Sequence, residues 1–255
     1  MANATTTSAT TAFGRAARAE LTRLPTVKST LWSLLAGAAL MLFVGGAAGS
    51  QGPESGEVAP IWYAAEFAIL PGQFAFLLIV VLAVTGEFAT GTIRSSLQWV
   101  PRRGVLMAAR TVVPVLFAVG CAVVLAAATD LLAWWFLGDQ AQIVLADIVR
   151  SLGRVALIVV VGGLLAVGFG MLLRSTAGAL ITIFLLIFAL PLFLGNIGVP
   201  WLTTISEHLP GSVMISLLAV TDEPRDATTV AAVLIAWPSF ALLLGGRSLV
   251  RRDTT

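Results

Sequence analysis

The sequence is poor in most of what water-soluble chemistry uses. Only 11% of its 255 residues are charged, against about 25% in ordinary soluble domains, while 58% are hydrophobic. The one cysteine, Cys121, lies inside an apolar run, which excludes a disulfide framework and a cysteine-based metal site and leaves the redox compartment unread. The one histidine, His208, cannot build a zinc centre, which needs several protein ligands, and no G-x-S-x-G or H-E-x-x-H motif accompanies it. An intramembrane protease or lipid-modifying enzyme would therefore lack its base or its ligands. The one lysine is Lys28. A phosphate-binding loop requires G-x-x-x-x-G-K-[ST], whose amides and lysine cradle the phosphates, and no glycine precedes Lys28 at that spacing. Any ATP chemistry must be supplied by another chain.

What is present is apolar sequence. The mean hydropathy is +0.97, and windows of about 20 apolar residues, enough to cross a bilayer as a helix, recur along nearly the whole length. They predict spans at Val27 to Gly49, Phe67 to Gly86, Val105 to Leu132, Gly153 to Leu173, Ala177 to Ile197 and Thr228 to Gly246. Runs such as Ile79 to Val84 are apolar on every side, which a barrel of alternating strands does not allow. The expected fold is all-α, a polytopic membrane protein of six transmembrane helices.

Residues 1–12 are rich in Ser, Thr and Ala and lack the basic start and cleavage pattern of a secretory signal, so a disordered tail is expected there. Residues 13–255 then form a single transmembrane domain. It opens with an interfacial elbow helix at 13–26 bearing Arg15, Arg18 and Arg23. Residues 198–226, only moderately apolar and holding Pro200, Pro210 and Gly211, predict short re-entrant helices on the external side. Pro114, Pro191 and Pro238 fall inside predicted spans, where the missing N–H permits a kink relieved by neighbouring helices. Gly162, Gly163, Gly168 and Gly170 on the fourth span permit close helix approach.

The charges sort by side. With the N-terminus inside, the 15 Lys and Arg residues all fall on the cytoplasmic side except Arg150, Arg154 and Arg225. A multi-pass protein of the cell inner (cytoplasmic) membrane with both termini cytoplasmic is expected. This distribution, rather than a nucleic-acid partner, accounts for the formal charge of +2. Asp130 and Arg154 fall near the external ends of the third and fourth spans, placed to pair across the bundle; a structural rim contact is the favoured reading and a substrate or proton site the alternative. His208 is read as an external capping or solvent-exposed residue. The tryptophans, including Trp134, Trp135, Trp201 and Trp237, are read as interfacial anchors, with substrate contact at the outer mouth the alternative for Trp134, Trp135 and Trp201.

One segment departs from this economy. Between the second and third spans, residues 87–104 form a charged, helix-capable island. If 92–100 is helical, Ile93, Leu97 and Val100 share one face while Arg94, Gln98 and Arg102 line another. Gly91 offers a break after the second span, Pro101 ends the pattern, and Arg102 with Arg103 suits the phosphate layer. Such a helix lies flat on the membrane's inner face, where something outside the bilayer can grip it.

Glu87-Phe-Ala-Thr-Gly-Thr-Ile-Arg94, followed by Ser96-Leu97, Pro101-Arg-Arg103 and Ala109-Arg110, resembles the signature of the membrane subunits of type-2 ABC exporters. Ala19 to Leu24 and Lys28 to Trp32 are similar to their elbow helix and first span. The resemblance implies a permease with no chemistry of its own. Its cytoplasmic coupling helix would carry Glu87, Phe88, Gly91, Thr92, Ile93, Arg94, Leu97, Pro101, Arg102 and Arg103 into a cleft on an ATP-binding subunit. It further implies two copies of that subunit, which hold ATP and Mg, a second permease subunit in a homodimer or heterodimer, and no cofactor or metal in this chain. Cargo, whether drug, lipid, peptide or glycan, is not specified. The alternative is an ion-coupled secondary transporter, which calls for carboxylates near the midplane and interrupted helices.

Overall fold

A computed structural model describes residues 9–51, 58–90, 103–218 and 225–252, with side chains at 13–51, 58–86, 111–218 and 225–248. The fold is all-α, and among the described residues six helices are long and apolar enough to cross a membrane. Helix α1 is Ala9–Arg23 and leads through a single 3-10 turn, Leu24–Thr26, into α2, Lys28–Ser50. It begins inside the stretch expected to be tail. Then follow α3, Tyr63–Thr90, α4, Arg103–Leu137, and α5, Leu145–Leu173. The fifth span is compound, with α6, Thr176–Phe184, a π turn at Leu185–Ala189, and α7, Leu190–Asn196. Two short helices, α8, Pro200–Glu207, and α9, Pro210–Leu217, precede α10, Ala227–Arg252.

Each predicted span coincides with one of these helices, and most run longer because polar ends continue the helix beyond the apolar window. Large apolar side chains face outward all round, with Trp32 70%, Phe43 75%, Val124 67%, Phe193 66% and Ile235 67% exposed. In water that surface would be a liability, whereas hydrocarbon satisfies it. Two residue pairs, Ala59 with Ala141 and Pro60 with Gln142, join as a minimal parallel β contact between β1, Ala59–Pro60, and β2, Ala141–Gln142. They tie the α2–α3 and α4–α5 connections together.

Helix α5 is the hub, with 67% of its most apolar window buried against 17% for α10. Lipid tails are as apolar as leucine, so helices in a bilayer associate by close packing, and glycine sets how close. A Cβ on Gly162 would lie 2.9 Å from Leu77, and one on Gly163 3.1 Å from Val115. The tightest contact is with α10. A Cβ at Gly168 would fall 2.5 Å from the Ala241 carbonyl carbon, and one at Gly245 2.5 Å from the Gly168 carbonyl oxygen. These two helices meet backbone to backbone.

The π turn has an identifiable cause. Pro191 has no N–H to donate to the carbonyl of Ile187 four residues earlier, and the helix widens just before it. The freed region is covered by the α8–α9 pair. Gly211 sits directly on the Ile187 carbonyl, leaving no room for a Cβ, and the Ser206 hydroxyl donates to the Pro191 carbonyl at 2.9 Å. Helix α10 is preceded by Asp226, whose carboxylate accepts from the Thr228 hydroxyl and from the Thr229 N–H. These bonds, the Thr228 hydroxyl first, hold the Asp226 carboxyl below the usual carboxylate range. The cap is therefore intact at neutral pH and is lost only as pH falls through that lowered value.

Gly168→Ala and Gly211→Ala are each expected to lower stability in detergent by about 1–3 kcal/mol, since backbone must move to admit the methyl group. Gly120→Ala, whose new methyl meets open space, is expected to be neutral or slightly stabilising. Thermal unfolding of the three variants checks this ordering.

Candidate functional site

Two places concentrate polar groups, one at each end of the bundle. The first is where the island leaves it. Glu87 and Phe88 occupy the last turn of α3, and Arg103 is the first residue of α4. Gly91, Thr92, Ile93, Arg94, Leu97, Pro101 and Arg102 lie outside the described residues. Helix α1 packs at this same end. Leu24 is buried with Ile79 and Val113, against Ala17, Leu34, Ala83 and Phe117. The N-terminal helix thus braces the two spans that flank the island.

The turn between α5 and α6 is tied to the same place. Thr85, 2% exposed and just ahead of Glu87, donates its hydroxyl to the Val81 carbonyl at 2.8 Å. Its oxygen is thereby left to accept from the Thr176 hydroxyl at 2.6 Å. Gly170 packs on Val84 and Thr85. Arg174 ends α5 at φ 52, a left-handed conformation uncommon for a residue with a side chain, while its N–H donates to the Gly170 carbonyl at 3.0 Å. The Ser175 hydroxyl caps α6 by accepting from the Gly178 N–H.

The second place lies inside the opposite end. The sequence placed Asp130 and Arg154 as a rim pair; the structure separates their roles. Arg154 donates to Glu66 Oε1 at 3.0 Å, with Glu66 fully buried and the Arg154 side chain 29% exposed. Asp130, 3% exposed, accepts from the Ala65 N–H at 3.0 Å through Oδ1. The reason is local. Ala65 is in the first turn of α3, where N–H groups have no intrahelical acceptor. Ala64 and Glu66 find the carbonyls of Ile61 and Trp62, and Asp130 serves the third from another helix. The Ser151 hydroxyl also reaches back to the Trp62 carbonyl, at 3.4 Å. Asp130 Oδ2 is buried without a partner.

Sequence reasoning missed Glu66 because the apolar window starts at Phe67, whereas the helix starts at Tyr63. An acidic residue abutting a span, opposite an intramembrane arginine, was the available signal. Pro71, inside α3, was also passed over. His208 ends α8, with Nδ1 2.8 Å from the Thr204 carbonyl, and its own carbonyl accepts from Trp237 Nε1 at 3.0 Å. Trp237 is therefore a tether from α10 to the α8–α9 pair rather than only an interfacial anchor. Among the described residues no group of three His, Cys, Asp or Glu side chains is placed to hold a metal ion. Compared with known proteins, the sequence matches no family model and no curated protein.

Removing one partner of a buried ion pair leaves an uncompensated charge. Arg154→Ala is expected to cost about 3 kcal/mol or more, and adding Glu66→Gln to recover most of that loss. Unfolding in detergent measures both, and simply additive losses would show that the two side chains are not coupled.

Proposed function

We propose that this chain is the transmembrane permease subunit of an ATP-driven ABC exporter of the cytoplasmic membrane. Both termini and the 87–104 island face the cytoplasm, and α8 and α9 form the external re-entrant segment. The chain performs no chemistry. Two ATP-binding subunits hold ATP and Mg, a second permease subunit completes the pathway as homodimer or heterodimer, and nucleotide-driven closure pulls on the island to move the spans.

The observation that carries this reading is the island motif, Glu87 to Arg103, set between α3 and α4 at the end of the bundle that α1 braces. A motor that grips the island there would act directly on two spans. Thr85 and Thr176 extend the same end to the fifth span. An ion-coupled secondary transporter is the second reading, favoured by two buried carboxylates, Glu66 and Asp130. Dependence on a nucleotide-hydrolysing partner separates the two.

The chain purified from native membranes is expected to bring with it a subunit containing a phosphate-binding loop, and the complex to hydrolyse ATP in lipid nanodiscs. Arg94→Glu is expected to weaken that association tenfold or more, about 1.4 kcal/mol, without changing the unfolding temperature of the isolated permease. Transport by the chain alone, driven by an ion gradient, would overturn the proposal.

A further inference from the structure

The cluster at the end remote from the island has two carboxylates and one guanidinium. Glu66 is fully buried and Asp130 nearly so, and Asp130 bonds the backbone N–H of Ala65, the residue next to Glu66. Arg154 is committed to Glu66 Oε1. Asp130 Oδ1 is committed to the Ala65 N–H. That leaves Oδ2, a buried acceptor with no donor, on a helix that crosses the membrane.

Among the described residues the surroundings supply no second cation. Helix α2 faces this part of α4 with Gly45 and Gly49 against Thr129 and Ala133, and its only charged residue, Lys28, is at its other end. Helix α3 contributes Glu66 and the Tyr63 phenol at this end, and its other carboxylate, Glu87, is at the opposite end. Helix α5 contributes Arg154, with Asp147 and Arg150 nearer its start already paired to each other at 2.6 Å. The N-terminus of α3 favours an anion at Asp130, but one peptide N–H offers only part of a charge, and an anion out of water needs more. A metal ion would need several oxygen ligands, and such a set is absent among the described residues. What fits a single unpartnered oxygen is a proton.

We propose that Asp130 is a proton-binding site. With this end of the bundle closed, Oδ2 carries the proton and Arg154 neutralises Glu66. When the end opens to water, Oδ2 releases the proton to solvent, which leaves a second buried carboxylate in the cluster. Rebinding a proton from solvent restores the first arrangement. No other bond changes. This device stands whether or not the chain works with an ATP-binding subunit, and it gives that end of the bundle a dependence on the pH of the compartment it faces.

Infrared spectroscopy of the full chain in lipid nanodiscs tests it, because a protonated buried carboxyl has a C=O stretch that a carboxylate lacks. At neutral pH the wild type is expected to show this band and Asp130→Asn to lose it. Glu66→Gln guards against misfolding of the first variant. Because the two carboxylates lie in one buried cluster, the pH midpoint at which the Asp130 band disappears is expected to differ between Glu66→Gln and the wild type. A band unchanged in Asp130→Asn, or its absence from the wild type at neutral pH, would overturn the proposal and leave Asp130 an ionised cap of α3. A band whose midpoint is the same in Glu66→Gln would also overturn it, by showing that the two carboxylates do not share one charge balance.

Discussion

Backbone-close packing onto α5 is the constraint on which the rest of this structure depends. In hydrocarbon there is no hydrophobic penalty to drive one apolar helix against another, so association rests on dispersion over short distances and on a few polar bonds. The glycines on α5 supply the short distances, to Leu77 of α3, Val115 of α4 and Ala241 of α10. Rigid contacts of this kind transmit displacement rather than absorb it. These contacts form a continuous packed route from α3 and α4 to α10 through α5.

Polar bonds are placed where glycine cannot do the work. At one end, Thr85 and Thr176 join α3 to the start of the fifth span. At the other, Arg154 joins α5 to α3 and Asp130 joins α4 to α3. Helix α3 thus receives a polar tie near each end and packs through apolar side chains between them. The fifth span is different. Pro191 opens a π turn in it, and the α8–α9 pair closes over that opening through Gly211 and Ser206, so its two halves answer to different neighbours.

Most of the fold was legible in the sequence, because composition near a bilayer leaves few choices. Six long apolar windows without strand alternation become six helices, and four glycines on one span mark the hub. What stayed hidden depends on juxtaposition. Glu66 reads as a loop residue until Tyr63 is seen to start the helix, and Asp130 and Arg154 read as partners until the unsatisfied first turn of α3 claims one of them. Trp237 reads as a membrane anchor until the His208 carbonyl is found in front of it. Of the candidate coupling residues, Glu87, Phe88 and Arg103 are placed at the two flanks of the island, and the rest rest on the motif alone.

The central claim is that the island between α3 and α4 is a cytoplasmic handle for a motor. Thiol accessibility tests it most directly, since Cys121 is the only native cysteine and Cys121→Ser gives a clean background. In that background Gln98→Cys should react with a membrane-impermeant reagent only from the cytoplasmic side, and bound ATP-binding subunit should protect it. Labelling from the opposite side, or no labelling in unsealed membranes free of any partner, would contradict the account.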